Sequence, residues 1–326
     1  MLSSRWVGVL ALASCLVAGC GSGQGEGGVR RLSIATGGTG GVFYPYGGGI
    51  ASLISAHLDN VEATAEVTAA SVDNLKFLAR GTSDLAFTMA DIARDGLVAR
   101  DAFAGFGSVP VRTLAVLYPS YTHLVARADS GITTVADLRG RLISTGAAGS
   151  GTAVLAARIL EAAGLDPDAD LRTQSLGAGQ SADALKDGKI DAVFWSGGLP
   201  TAAILDLANT PGMDIRLVPT DGVLPRLEDI YGVSIYYPET IPRDAYGLDT
   251  DTPVVAVSNL LVASESMPES LAYDITRLLF DRQPELATIH PQGRALALST
   301  AAASTAIPYH PGAIRYYREQ QVWTER

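Results

Sequence analysis

With 47% hydrophobic and 18% charged residues over 326 positions, the chain is too apolar for intrinsic disorder and long enough for two cores. Its 34 acidic residues against 24 Lys and Arg leave a formal net charge of −10. That balance, with no basic run, excludes nucleic acid and anionic lipid surfaces as partners, since both are bound through clustered cations.

Met1 to Cys20 reads as a targeting segment. Arg5 supplies a positive start, Trp6 to Ala18 an apolar stretch too short to span a bilayer, and Leu16-Val-Ala-Gly-Cys20 a small-residue cleavage site. The terminal pattern resembles a bacterial lipobox. Residues 1–19 are therefore expected to be removed and Cys20 lipidated, which anchors the protein to a membrane outside the cytoplasm. An ordinary signal peptide or a buried N-terminal helix is the alternative. The only two cysteines are Cys15, lost with the signal, and Cys20, so no disulfide is expected. Residues 20–30, rich in glycine, read as a flexible tether.

From Arg31 onward apolar runs alternate with amphipathic stretches. Strands are expected at Leu32–Ala35, Val61–Val67, Leu85–Thr88, Leu114–Leu117 and Leu124–Ala126, with helices at Ile50–Leu58, Ser71–Arg80 and Asp91–Arg100. A second series gives a helical turn at Val135–Gly140 and strands at Arg141–Thr145, Arg172–Ser175 and Ala192–Trp195. Helices at Thr152–Ala163 and Ser181–Asp187 lie between those strands. Residues Pro211 to Pro253 read as irregular. A long apolar strand, Val254–Ala263, and helices Glu269–Phe280 and Pro284–Ile289 complete the chain. The alternation predicts an α/β fold. The restart near Leu124 and the late strand predict two lobes joined by hinge strands, lobe I being 31–119 plus 259–326 and lobe II 120–258. A ligand cleft is expected between them, at strand C-termini.

Two glycine-rich segments, Thr36 to Gly49 and Gly146-Ala-Ala-Gly-Ser-Gly-Thr152, follow a strand and precede a helix. Free amides at a helix start favour an anion, and glycine lets the backbone approach it. A tight connection with no ligand is the alternative. Nucleotide binding fails on detail: Phe43 stands where G-x-G-x-x-G needs glycine, and Thr152 where a P-loop needs lysine. Ser150 and Ser196 lack the G-x-S-x-G elbow, and the four histidines show no metal-ligand spacing. Neither an enzyme nor a cofactor is expected.

Polar groups suited to a small acid remain. Ser71 either caps its helix or donates to a ligand, Asn74 offers an amide one turn on, and Asp91 is either an N-cap or a partner for an ammonium group. Tyr44, Tyr118, Tyr121 and Trp195 are candidates for the cleft wall or the core.

Six stretches in order then carry a likeness: Ala35-Thr-Gly-Gly-Thr-Gly-Gly-Val-Phe-Tyr-Pro-Tyr-Gly-Gly48, Ser71-Val-Asp-Asn-Leu75, Asp84 to Asp91, Asp137-Leu-Arg-Gly140, Gly149-Ser-Gly-Thr152 and His310 to Glu319. From about Leu32 to Glu319 the chain resembles the TAXI family of TRAP transporter solute-binding proteins. The resemblance implies a type II periplasmic-binding-protein fold that closes on glutamate, glutamine or a related small carboxylate and delivers it to an ion-coupled membrane permease. It assigns Thr39, Gly40 and Tyr44 to the ligand from the first loop, Ser71 and Asn74 from a helix start, and Ser150 and Thr152 from the other lobe. Two positions depart: Met89 stands near a common glutamine, and Asp73 where glutamate is frequent. The expected partners are thus a small anionic or zwitterionic solute, held by both glycine loops including Gly149, and the permease. A monomer is expected. A surface adhesin or sensor of the same fold, or a receptor for a neutral or phosphorylated nutrient, is the alternative.

Overall fold

A strand buried on both faces must run through the middle of a sheet, and Leu85–Met89, Val111–Arg127 and Thr252–Ser264 are of that kind over most of their length. The computed structural model describes residues 28–232 and 235–324. The targeting segment, Cys15, Cys20 and most of the tether lie outside the described residues. The strands are β1 (Arg30–Ala35), β2 (Val61–Glu66), β3 (Leu85–Met89), β4 (Val111–Arg127), β5 (Leu142–Ser144), β6 (Arg172–Gln174), β7 (Ala192–Gly197), β8 (Ile215–Leu217), β9 (Tyr236–Ile241) and β10 (Thr252–Ser264). They form one sheet in the order β2-β1-β3-β10-β4-β7-β5-β6, with β8 on β4 and β9 on β10.

Pairing divides this sheet into two lobes. β1, β2 and β3 are parallel on one side, and β5, β6 and β7 on the other. Between them the long strands β10 and β4 run antiparallel to each other and to their neighbours. The fold is therefore a two-lobed α/β architecture of the type II periplasmic-binding-protein kind, with β4 and β10 traversing both lobes. Pro119 and Ser258 face each other where they cross.

The helices of the first lobe are α1 (Phe43–His57), α2 (Ser71–Ala79) and α3 (Ala90–Val98). The second lobe carries α4 (Gly151–Ala162), α5 (Ala178–Lys186), α6 (Ala202–Ala208) and α7 (Leu224–Tyr231). The chain then returns through α8 (Glu269–Asp281), α9 (Gln283–Ile289), α10 (Leu298–Ala301) and α11 (Pro311–Glu319).

Three sequence expectations are corrected here. Helix α1 starts at Phe43, not Ile50, so half of the first glycine loop is helix. Pro45 is tolerated in the first turn, where no amide has an intrahelical partner. Gly47 and Gly49 serve packing: a Cβ on Gly47 would lie 2.5 Å from Thr36 Cγ2, and one on Gly49 2.5 Å from Ile289 Cδ1. The strands expected on either side of Pro119 are one strand, whose pairing with β10 shifts register beside Asn259. The described residues of Pro211–Pro253 include β8, α7 and β9. Pro225 sits in the first turn of α7, and Pro238 lies on β9, which among the described residues pairs with β10 alone.

One hydrophobic cluster runs through both lobes. It joins Leu75, Ile92 and Phe103 of the first to Leu155, Ile159 and Leu227 of the second. The lobes are thus packed together along the α3–α4–α7 side.

Candidate functional site

A helix leaves its first amides without intrahelical partners, so several helices beginning at one place concentrate donors and positive dipole ends there. Four do so here. Phe43, Ser71, Gly151 and Ala178, the first residues of α1, α2, α4 and α5, all line one cleft between the lobes with a cavity of about 150 Å³. Gly37, Gly38 and Gly41 of the first glycine loop and Ala147 and Ser150 of the second line it as well.

The hydroxyls of the cleft are oriented by backbone amides. Ser71 Oγ accepts from the Met89 amide at 3.2 Å, Ser150 Oγ from the Ala153 amide at 3.0 Å, and Thr152 Oγ1 from the Ser196 amide at 3.2 Å. Each oxygen accepts one of these bonds and keeps its own hydrogen to donate. The Gln180 carbonyl oxygen accepts from the Gly177 amide, which leaves its NH₂ as the free end. Among the described residues that line the cleft, none has a charged side chain. Phe43, Met89, Tyr118 and Trp195 form its apolar wall. Trp195 is fixed by its Nε1–H donating to Thr201 Oγ1 at 3.1 Å. Ala70 holds φ at 92°, a strained setting for a residue with a side chain, at the mouth of α2.

Both lobes meet around this cleft. The Gly149 carbonyl accepts from the Val72 and Asp73 amides, so the second lobe occupies part of the α2 start. Gly151 lies against Met89 and Ser71, and Gly41 against Trp195. At the far rim Gln292 Nε2–H donates to the Leu199 carbonyl at 2.8 Å.

Of the residues expected to hold ligand, the structure brings Ser71, Ser150, Thr152 and Trp195 to the cleft. It places the others elsewhere. Thr39 is exposed at the loop tip, and Gly40 abuts Gly179 and Ala178 of α5. Within α1 it is Phe43, not Tyr44, that lines the cleft. Asn74 is buried beneath the site: its Nδ2 donates to the carbonyls of Ala35, Thr36 and Phe87, and its Oδ1 accepts from Thr68. Gly149 serves the lobe contact, with φ at 83°.

Asp91 is corrected most sharply. Its carboxylate accepts from Arg158 Nη1 at 3.3 Å and Tyr236 Oη at 2.8 Å, and from the Ile92 amide. Arg158, from the opposite lobe, also engages Asp95 and Asp101 and lies 4.4 Å over the Tyr231 ring. Burial holds the Asp91 carboxyl above the usual range against the pull of Arg158. Nothing of this cluster lines the cleft.

Gln180, Ser196 and Thr68 are cleft residues that sequence reasoning missed. For Gln180 a signal existed, since Leu176-Gly-Ala-Gly-Gln180 repeats the strand–glycine–helix context of the other two loops. Among the described residues no group of three or more His, Cys, Asp or Glu is placed to hold a metal, and no helix is long and apolar enough to cross a membrane.

The chain belongs to the NMT1-like family, which it matches over residues 34–320. Solved structures share its fold. The periplasmic aliphatic sulphonate binding protein of Escherichia coli is 17% identical, with 90% of this chain and 80% of that one covered at a TM-score of 0.50. The alkanesulfonate-binding protein of Xanthomonas axonopodis pv. citri, bound to MOPS, is 16% identical over 92% and 96% at 0.50. A binding protein component of an ABC phosphonate transporter from Pseudomonas aeruginosa is 12% identical over 81% and 78% at 0.52.

Proposed function

We propose that this NMT1-like chain is an extracytoplasmic solute-binding protein that closes its lobes on a small organic carboxylate and presents the closed complex to a membrane permease. One observation carries the reading: the first residues of four helices and three hydroxyls oriented by backbone amides line one cleft with no charged side chain among its described lining residues. A carboxylate only accepts, and charge-assisted bonds strengthen when closure removes water. In this reading the lobes divide near the paired Pro119 and Ser258, and a lipid on Cys20 would tether the monomer to the membrane.

The permease is proposed to be of the TRAP type, on the six ordered motifs shared with TAXI receptors. The names of the structural relatives, sulphonate, alkanesulfonate and phosphonate, support an oxyanion in the cleft and favour a second reading in which the head group is one of these. Calorimetric titration with aliphatic carboxylates is expected to give one saturable site without turnover. Failure of every carboxylate beside tight binding of a sulfonate or phosphonate would replace the first reading by the second. Uptake into permease-containing vesicles is expected to follow an ion gradient, and a requirement for ATP would contradict the TRAP partner.

A further inference from the structure

We propose that the ligand is a small monocarboxylate whose apolar body packs against the rings of Phe43 and Trp195; this rests on the carboxylate reading above. The accessible lining of the cleft is mostly carbon. In a site of that make-up a few polar groups orient the head group, and the apolar wall selects what is attached to it. Phe43 and Trp195 both line the cleft and are only half-buried, so each has surface left for a ligand to cover. The first glycine loop lies against both rings. A Cβ on Gly41 would stand 2.8 Å from Trp195 Cζ2, and one on Gly37 3.6 Å from Phe43 Cδ2. Each ring is also held from behind, Trp195 by its bond to Thr201 Oγ1 and Phe43 by the Phe87 ring at 5.1 Å between centroids.

Polar groups gather at the start of α4. A Cβ on Gly151 would lie 2.8 Å from Ser71 Oγ, and Thr152 Oγ1 accepts from the Ser196 amide. With the first-turn amides of α4, these groups offer a place for one carboxylate. No cationic side chain lines the cleft among the described residues to hold a second. A carboxylate at the far end of the ligand would lie against carbon, and burying an unpaired ion is costly. Volume narrows the class further. The cavity is about 150 Å³. An apolar cavity of about that volume accommodates benzene, so the ligand has on the order of six to nine non-hydrogen atoms. A straight-chain acid of about four to seven carbons falls in that range.

The test is calorimetry with the straight-chain monocarboxylates from acetate to octanoate, beside succinate, glutarate and adipate. The tightest ligand is expected to be a monocarboxylate of about four to seven carbons, bound at least about tenfold more tightly than the dicarboxylate of equal or nearest length. Trp195→Leu, checked for a melting temperature near wild type, enlarges the apolar wall's share of the cavity and is expected to move the preferred chain about two carbons longer. Phe43→Leu makes the same test from the other lobe if the first variant melts early. A dicarboxylate, acetate or octanoate as the tightest ligand, or an unchanged order of chain lengths in a variant that melts like wild type, would overturn the inference and leave the carboxylate site standing. If the acids fail, whether or not their primary amides bind, the carboxylate reading falls and this inference with it.

Discussion

At the scale of single residues, Gly149 shows how a position can matter to binding without touching ligand. Its φ of 83° strains any residue with a side chain, and a Cβ there would also have to displace the Asp73 carboxylate, 2.6 Å away, where the second lobe meets α2. Gly149→Val is expected to lower carboxylate affinity by about tenfold or more through failed closure, with a melting temperature near wild type. Unchanged affinity in calorimetry would remove this contact from the closing interface. His123 gives a pH prediction. A carbonyl only accepts, so the bond to the Tyr121 carbonyl puts the proton on Nδ1, and Nε2 accepts from Tyr246 Oη at 2.8 Å. Burial lowers its pKa from 6.5 to about 4. Between those values the unfolded chain binds the proton and the folded chain does not. This contribution is therefore whole above pH 6.5 and is lost as pH falls toward 4, by about 3 kcal/mol. Denaturant titrations at pH 7 and pH 4.5 should show a stability loss that shrinks in His123→Gln, and parallel losses in both proteins would contradict the assignment. Residue types and a place between a strand end and a helix start pointed to Ser71 and Trp195, and the family resemblance to Ser150 and Thr152. Asn74 and Asp91 shared that signal and went elsewhere, since sequence does not reveal that Asn74 ties the end of β1 to β3 or that Arg158 arrives from the opposite lobe.

Among elements, the helix starts and the α3–α4 contact divide the labour. The cleft takes its donors from α1, α2, α4 and α5, whereas Arg158 of α4 binds Asp91 and Asp95 of α3 behind it. Arg94 adds a bond from Nη1 to the Tyr231 carbonyl at 2.8 Å. With the shared hydrophobic core, this side would be the pivot of the proposed closure, and the Gln292–Leu199 contact would lie on the opening rim. Arg158→Met strips the cation from buried carboxylates and is expected to cost about 3 to 5 kcal/mol in urea unfolding. A loss below about 1 kcal/mol would show that the cluster is not a structural tie. Asp91→Asn should leave carboxylate affinity within about twofold, and a larger loss confined to ligands with an amine would return Asp91 to the cleft. Strands with strong apolar runs were legible in the sequence; the start of α1 and the stretch around β9 were not. Glycine and proline there serve close packing and first-turn or edge positions, and local propensity reads both as breaks.

For the whole molecule the account makes a claim about motion and charge. β4 and β10 traverse both lobes, so opening must bend them near the Pro119–Ser258 crossing while the α3–α4–α7 side stays packed. The likeness in six stretches made the two-lobed plan readable over nearly the entire chain, yet the absence of charge from the cleft could not be read that way. It depends on where every acidic and basic side chain ends up. A crystal structure with a bound carboxylate tests this most directly. The account predicts carboxylate oxygens at about 2.7 to 3.1 Å from first-turn amides of α4 and from the Ser71, Ser150 or Thr152 hydroxyls, with no charged side chain in contact. A carboxylate held by an arginine or lysine, or lodged away from these helix starts, would contradict it.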